Sequence, residues 1–194
     1  SIKNKLLSEL KCLGIKNGQF EVVFNNDYSL ENIEKCATYN GADNLEFMFS
    51  ANAGIELRPL SKIISGGEMS RFMLAFKCVI QDNSGIKTLV FDEIDTGIGG
   101  MIGAEVGKKI VSISKYNQVI CITHLAQIAS FADNNYLIEK TTDNNYTTSS
   151  IKLLDEEQKV KEITRMLGLN AGENATNSAR DLINDAINYK QSLK

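Results

Sequence analysis

Four short stretches of this chain carry side chains that can act on a phosphate ester. Ile64-Ser65-Gly66-Gly67-Glu68 puts two glycines at the head of an apolar-periodic stretch. Glycines opening a helix leave backbone N–H groups bare where a phosphate can approach closely, and Ser65 adds a hydroxyl donor. A helix N-terminus favours an exposed anion by only about 0.3–1 kcal/mol, so this loop needs partners to hold a nucleotide. Ser65 reads equally well as the cap of a glycine-rich helix start. Ser-Gly-Gly-Glu is expected in roughly 0.4% of chains of this length, which makes the tetrad specific without deciding between the two.

Leu89-Val90-Phe91-Asp92-Glu93 ends an apolar run in two carboxylates. Neighbours along a strand point apart, so the pair can take two roles. Asp92 would hold Mg²⁺, directly or through a water, and Glu93 would orient or deprotonate an attacking water. A solvated strand end is the plain alternative. His124, the sole histidine, follows a second apolar run; its imidazole can reach a γ-phosphate or the attacking water, or simply cap a helix. Asp95-Thr96-Gly97, just past the carboxylates, is a further candidate or a turn and nothing more.

These residues need elements to position them. Thr88 to Phe91 and Val119 to Thr123 suit buried parallel strands, each short and apolar. Between them Ile98 to Tyr116 sets Ile102, Val106, Ile110 and Ile113 along one helical face, giving strand, helix, strand. Glu68 to Gln81 has Phe72, Ala75, Phe76 and Val79 at helical spacing. Phe20 to Phe24 and Leu45 to Phe49 read as antiparallel strands. Tyr136 to Glu139 and Thr147 to Leu153 flank Asp143-Asn144-Asn145, the composition of a hairpin turn. Closing helices are expected at Glu156 to Leu167 and Thr176 to Tyr189. Ser1 to Leu13, with Leu6, Leu10 and Leu13 on one stripe and Gly14 as its stop, is a surface helix or the last turns of a coiled-coil arm. Because the chain starts at Ser1, inside that pattern, it is expected to be a fragment.

Composition sets the outer bounds. With 194 residues, 43% of them hydrophobic, and one proline, one domain with a core of ordinary size is expected. A formal net charge of -3 gives no global pull toward nucleic acid or anionic lipid, so any DNA contact must be local. Cys12, Cys36, Cys78 and Cys121 are scattered, without a C-x-x-C pair, and read as reduced, mostly buried thiols rather than metal ligands.

In order, Ser65-Gly66-Gly67-Glu68, Asp92-Glu93, Asp95 and His124 resemble the signature motif, Walker B strand, D-loop and switch histidine of ABC-type ATPases. Phe91-Asp92-Glu93-Ile94-Asp95-Thr96-Gly97-Ile98-Gly99-Gly100 and Ile122-Thr123-His124-Leu125-Ala126-Gln127-Ile128-Ala129 resemble the RecN family of bacterial SMC-like double-strand-break repair proteins. The resemblance extends over Glu46 to Asn52 and Glu162-Ile163-Thr164-Arg165-Met166-Leu167-Gly168. Transporter ATPases usually follow the Walker B glutamate with proline, where Ile94 stands here.

The resemblance implies an α/β fold, the C-terminal lobe of an ABC-ATPase head: a mixed sheet of parallel Walker B and switch strands plus antiparallel strands, flanked by helices. Residues 1–13 would be the end of a coiled-coil arm and 14–194 the head half. The P-loop would lie in a preceding N-terminal half of the same protein, and two heads would sandwich ATP as a homodimer. By motif position, Asp92 would bind Mg²⁺, Glu93 would be the general base and His124 the γ-phosphate sensor. Ser65, Gly66, Gly67 and Glu68 would cap the partner head's nucleotide, and Asp95 would link the heads. DNA as a partner and a cytoplasmic, nucleoid-associated place follow from the family alone.

No G-x-x-x-x-G-K-[ST] occurs in the sequence. At Gly107-Lys108-Lys109 the residue after Lys lacks the hydroxyl, and Ile102 stands where the first glycine would. The chain alone is therefore expected to bind ATP weakly and to turn it over negligibly. Two rivals share these motifs: a non-catalytic dimerisation or DNA-binding module, and half of another SMC-type head.

Overall fold

Burial of one leucine stripe sets the first element. In the computed structural model, helix α1 (Ile2–Cys12) turns Leu6 and Leu10 fully inward, followed by Leu13, while Lys3, Lys5 and Lys11 stay exposed. It stops at Gly14, whose φ of 88° lies in the left-handed region that glycine tolerates. The structure describes residues 1–25, 29, 31, 33, 35, 37–39, 41–62, 65–80, 87–143, 146–168 and 172–193. They fall into two compact units, Ser1–Ser84 and Gly85–Lys194.

In the first unit, β1 (Gln19–Phe24) pairs antiparallel with β2 (Leu45–Ser50), Gln19 opposite Ser50 and Phe24 opposite Leu45. A short β3 (Arg58–Pro59) lines the other side of β2. Its Pro59 has no N–H to give to a ladder, so it suits an edge strand. A single 3-10 turn, Leu60–Lys62, leads toward helix α2 (Gly66–Ile80). Phe72 on α2 sits with its ring 5.0 Å from Phe49, 5.7 Å from Phe20 and 6.1 Å from Phe76, and α1 packs alongside α2. This aromatic cluster holds α2, and the glycines at its start, against the sheet.

In the second unit, β4 (Thr88–Phe91) and β5 (Gln118–Cys121) run parallel, with Thr88 opposite Gln118 and Phe91 opposite Cys121. Helix α3 (Gly100–Ser114) makes the crossover and buries Val106, Val111 and Ile113. A one-turn α4 (Ala126–Ala129) lies against it. The approach is close: a Cβ on Gly107 would come within 2.4 Å of the Phe131 ring. Strands β6 (Tyr136–Asp143) and β7 (Tyr146–Leu153) form a hairpin. Helix α5 (Glu156–Met166) opens with a capping box between Asp155 and Gln158, and α6 (Glu173–Ser192) closes the unit. Ala126, Ala129, Ile163, Ala179 and Ile183 make one core cluster, and Val111, Phe131 and Ala186 a second.

The α/β class and the strand, helix, strand order are as expected, and among the described residues the strands lie in three separate sheets, one parallel and two antiparallel. Four details differ. Strand β5 ends at Cys121 instead of Thr123, because Thr123 turns to bond Asp95. The parallel strands are buried on one face only: Val90, Ile120 and Ile122 are about half exposed or more. Both hairpin strands are longer than their apolar cores, and β7 is exposed throughout. Cys12 is exposed and Cys78 and Cys121 are half-buried, so the three described thiols form no disulfide with one another and are not deeply buried. Cys36, Ile64, Gln81 and the turn residues Asn144 and Asn145 lie outside the described residues. No described helix is long and apolar enough to cross a membrane.

Candidate functional site

Ser65 precedes α2, and its Oγ accepts the backbone N–H of Glu68 at 3.4 Å while its carbonyl accepts that of Met69 at 3.1 Å. This is the geometry of a helix cap. The bond uses the hydroxyl oxygen as acceptor and leaves its hydrogen to be donated, so capping and anion contact are compatible. Gly66 is exposed and Gly67 buried at the first turn, with Glu68 half-buried behind them. These four residues belong to the first unit.

The second unit brings the other candidates together at the carboxyl ends of β4 and β5. Asp92 follows β4 directly, and its Oδ1 accepts the N–H of Glu93 at 2.9 Å. Both carboxylates are exposed. Glu93 has φ 55°, in the left-handed region, and is the sole non-glycine with positive φ among the described residues. Such backbone costs a side-chain-bearing residue of order 1–3 kcal/mol and tends to collect at working sites. The turn continues with Thr96 N–H donating to Glu93 O at 3.0 Å, and Gly97 takes φ 76°.

Asp95 lies on the inner side of this turn, 2% exposed. Its Oδ2 accepts the Thr123 hydroxyl at 2.5 Å and the His124 backbone N–H at 2.7 Å, and the His124 Nδ1 lies 3.1 Å away. Leu125 N–H in turn donates to Thr123 Oγ1 at 3.1 Å. The His124 side chain is 72% exposed. Strand pairing thus juxtaposes residues 28 and 29 positions apart in sequence. The carboxylates are felt within β5: burial first, then the charges of Asp95 and Asp92, push the Cys121 thiol up to about 12.

Residue type and spacing point to Asp95 and His124 but not to Thr123. A hydroxyl between an apolar strand and a histidine was the available signal, and nothing short of the strand register tells which way it turns.

No family model matches the chain. The chain is 37% identical over 183 residues to the DNA repair protein RecN of Halalkalibacterium halodurans, covering 94% of this chain and 32% of that protein. It is 34% identical over 198 residues to RecN of Bacillus subtilis, covering 97% and 34%, and 44% identical over 153 residues to RecN of Treponema pallidum, covering 77% and 26%. It therefore spans about a third of the length of the curated relatives it matches. Among solved structures it is similar to the Smc head domain with a coiled coil and joint from Pyrococcus yayanosii, at TM-score 0.56 and 22% identity, covering 84% of this chain and 28% of that one. The Smc head domain of Pyrococcus furiosus bound to the C-terminal domain of ScpA matches at TM-score 0.52 and 22% identity, covering 86% and 37%. The fold is that of Smc head domains, and by its match to one RecN after another over most of its length this chain belongs to the RecN family.

Proposed function

We propose that the chain contributes half of an ATP site to a RecN-like DNA-repair ATPase, the P-loop coming from another segment of the same protein. The observation that carries the reading is the meeting of Asp92, Glu93 and His124 at the carboxyl ends of two paired parallel strands, the edge at which open α/β sheets take their ligands. Asp92 holds Mg²⁺, Glu93 is the general base toward the attacking water, and His124 contacts the γ-phosphate or that water. Ser65, Gly66, Gly67 and Glu68 cap the nucleotide of a second head, so that ATP draws two heads into a homodimer. The relatives' name, DNA repair protein, supports DNA as the partner and a cytoplasmic, nucleoid-associated place. Residues 1–13 continue a coiled-coil arm, and 14–194 are the head half.

The donor set fits magnesium in a limited way. No three His, Cys, Asp or Glu side chains gather as a metal cage among the described residues. Asp92 alone suits an ion that is held by one or two carboxylates and otherwise by water and phosphate oxygens. When bound, Mg²⁺ neutralises charge on the phosphates. The exposed Glu93 carboxylate, set off from Asp92 by the turn, is placed to take a proton from water.

The test is Mg-ATP hydrolysis by the chain alone, by the chain reassembled with the P-loop segment, and by the reassembled Glu93→Gln variant. Turnover in the reassembled protein and its loss in the variant are expected. Undiminished turnover by Glu93→Gln overturns the assignment.

A further inference from the structure

The segment that carries Asp92 and Glu93 is fastened at both ends to the segment that follows β5. Ahead of the pair, Phe91 O accepts the Ile122 N–H at 2.9 Å. Beyond it, Asp95 Oδ2 accepts the Thr123 hydroxyl at 2.5 Å and the His124 backbone N–H at 2.7 Å. Ile122, Thr123 and His124 thus supply donors to acceptors on either side of Asp92, Glu93 and Ile94, and Ile94 is fully buried between the two fastenings. Thr123 is itself held, because its oxygen accepts Leu125 N–H at 3.1 Å while its hydrogen goes to Asp95.

Inside this bracket Glu93 takes φ 55°. A left-handed backbone on a residue with a side chain persists only where its surroundings over-determine it. The turn's own bonds, Glu93 N–H to Asp92 Oδ1 and Thr96 N–H to Glu93 O, join exposed residues, where water competes for both partners. The bonds to Asp95 end on a buried carboxylate oxygen, and hydrogen bonds to such an acceptor are the stronger kind.

We infer that Asp95 and Thr123 are positioning residues for Glu93: their bond closes the bracket and holds the Glu93 turn in its strained form. The inference deepens the ATPase reading and rests on it only for what Glu93 does to water. With 2% of its surface exposed, Asp95 has this task within its own chain, whereas its motif position implies a link between heads.

Thr123→Val removes the hydroxyl and nearly keeps the shape of the side chain. Amide hydrogen exchange of the chain without nucleotide reads the clamp directly. The reporter is Thr96 N–H, which closes the Glu93 turn and lies on the other segment from the substitution. Thr123→Val should speed its exchange about tenfold or more, and Thr123→Ser should restore the slow rate. The ladder amides of β6 and β7 should not change, which checks the folding of the variant. Unchanged exchange at Thr96, or a rise shared equally by the hairpin, overturns the inference.

In the protein reassembled with its P-loop segment, Thr123→Val should lower kcat by about ten- to a hundredfold, leave KM within about twofold, and be largely rescued by Thr123→Ser. In a double-mutant cycle with Glu93→Gln, Thr123→Val should cost nothing further, because a misplaced carboxylate matters only while the carboxylate is there. Full additivity, or an effect confined to KM, overturns the inference. Absence of turnover in the reassembled wild-type protein would strike the ATPase reading instead, and exchange at Thr96 would still decide whether the clamp exists.

Discussion

The side chain of Asp92 accepts a hydrogen bond from the backbone N–H of its own successor, Glu93, at 2.9 Å. That bond caps the sharp turn in which Glu93 takes φ 55°. If Glu93 is the general base, Glu93→Gln should lower ATP turnover of the reassembled protein by about 10²–10⁴. The thermal midpoint of the chain should hardly change, since the exposed amide disturbs no packing.

The same φ gives a second outcome of opposite sign. Glu93→Gly removes a side chain from a left-handed residue and should stabilise the chain by about 1 kcal/mol, read from urea midpoints, while abolishing turnover. A variant that is both more stable and inactive would identify the strain as part of the site. A loss of stability would show that the Glu93 side chain supports the turn.

Gly107 and Phe131 form a tight seam between α3 and the turn after α4. A methyl group on Gly107 would sit 2.4 Å from the Phe131 ring, which is itself only 9% exposed. Gly107→Ala should therefore destabilise the chain by about 1–3 kcal/mol despite the higher helix propensity of alanine. In a denaturation double-mutant cycle with Phe131→Leu, part of that loss should return, and strict additivity would place the clash elsewhere.

Phe72 joins α2 to β1 through Phe20 and to β2 through Phe49, and stacks on Phe76 of its own helix. Phe72→Ala should cost about 3–5 kcal/mol. Hydrogen exchange should show the loss first in α1, α2, β1 and β2, the elements around that ring.

Cys121 supplies a pH-dependent outcome. Burial, reinforced by Asp95 and Asp92, holds its proton up to about 12, against 9.0 for an ordinary thiol. Between those values the unfolded chain binds fewer protons than the folded one, so this group's contribution is intact below pH 9 and is lost as pH rises toward 12. Iodoacetamide at pH 8.5, followed by peptide mapping, should alkylate exposed Cys12 well before Cys121. Cys121→Ala should flatten the alkaline fall in stability.

How much of this was legible in the sequence differs by element. The β4 limits, Thr88 to Phe91, follow from a short apolar run closed by two carboxylates, and the helical spacing of Phe72, Ala75 and Phe76 from period. Helix α4, four residues long, carries no periodic signal, and β3 is two residues that exist through pairing with β2. At the site, Asp92, Glu93 and His124 were visible as residue types at strand ends. The burial of Asp95 and the part played by Thr123 were not, since both depend on parallel register across a crossover.

That register also fixes the order in which the molecule can acquire its chemistry. The β6–β7 hairpin zips from Asp143 and Tyr146 outward, every pair close in sequence, a process of microseconds in isolated hairpins. Pairing Thr88 with Gln118 must first close a loop of 30 residues, with α3 folded inside it, and parallel pairing of this kind is slow. Before that closure Asp95 has neither the Thr123 hydroxyl nor the His124 backbone N–H to accept. A nascent or partly unfolded chain therefore shows its hairpin early, and brings Asp95 and Thr123 together only once the crossover has closed.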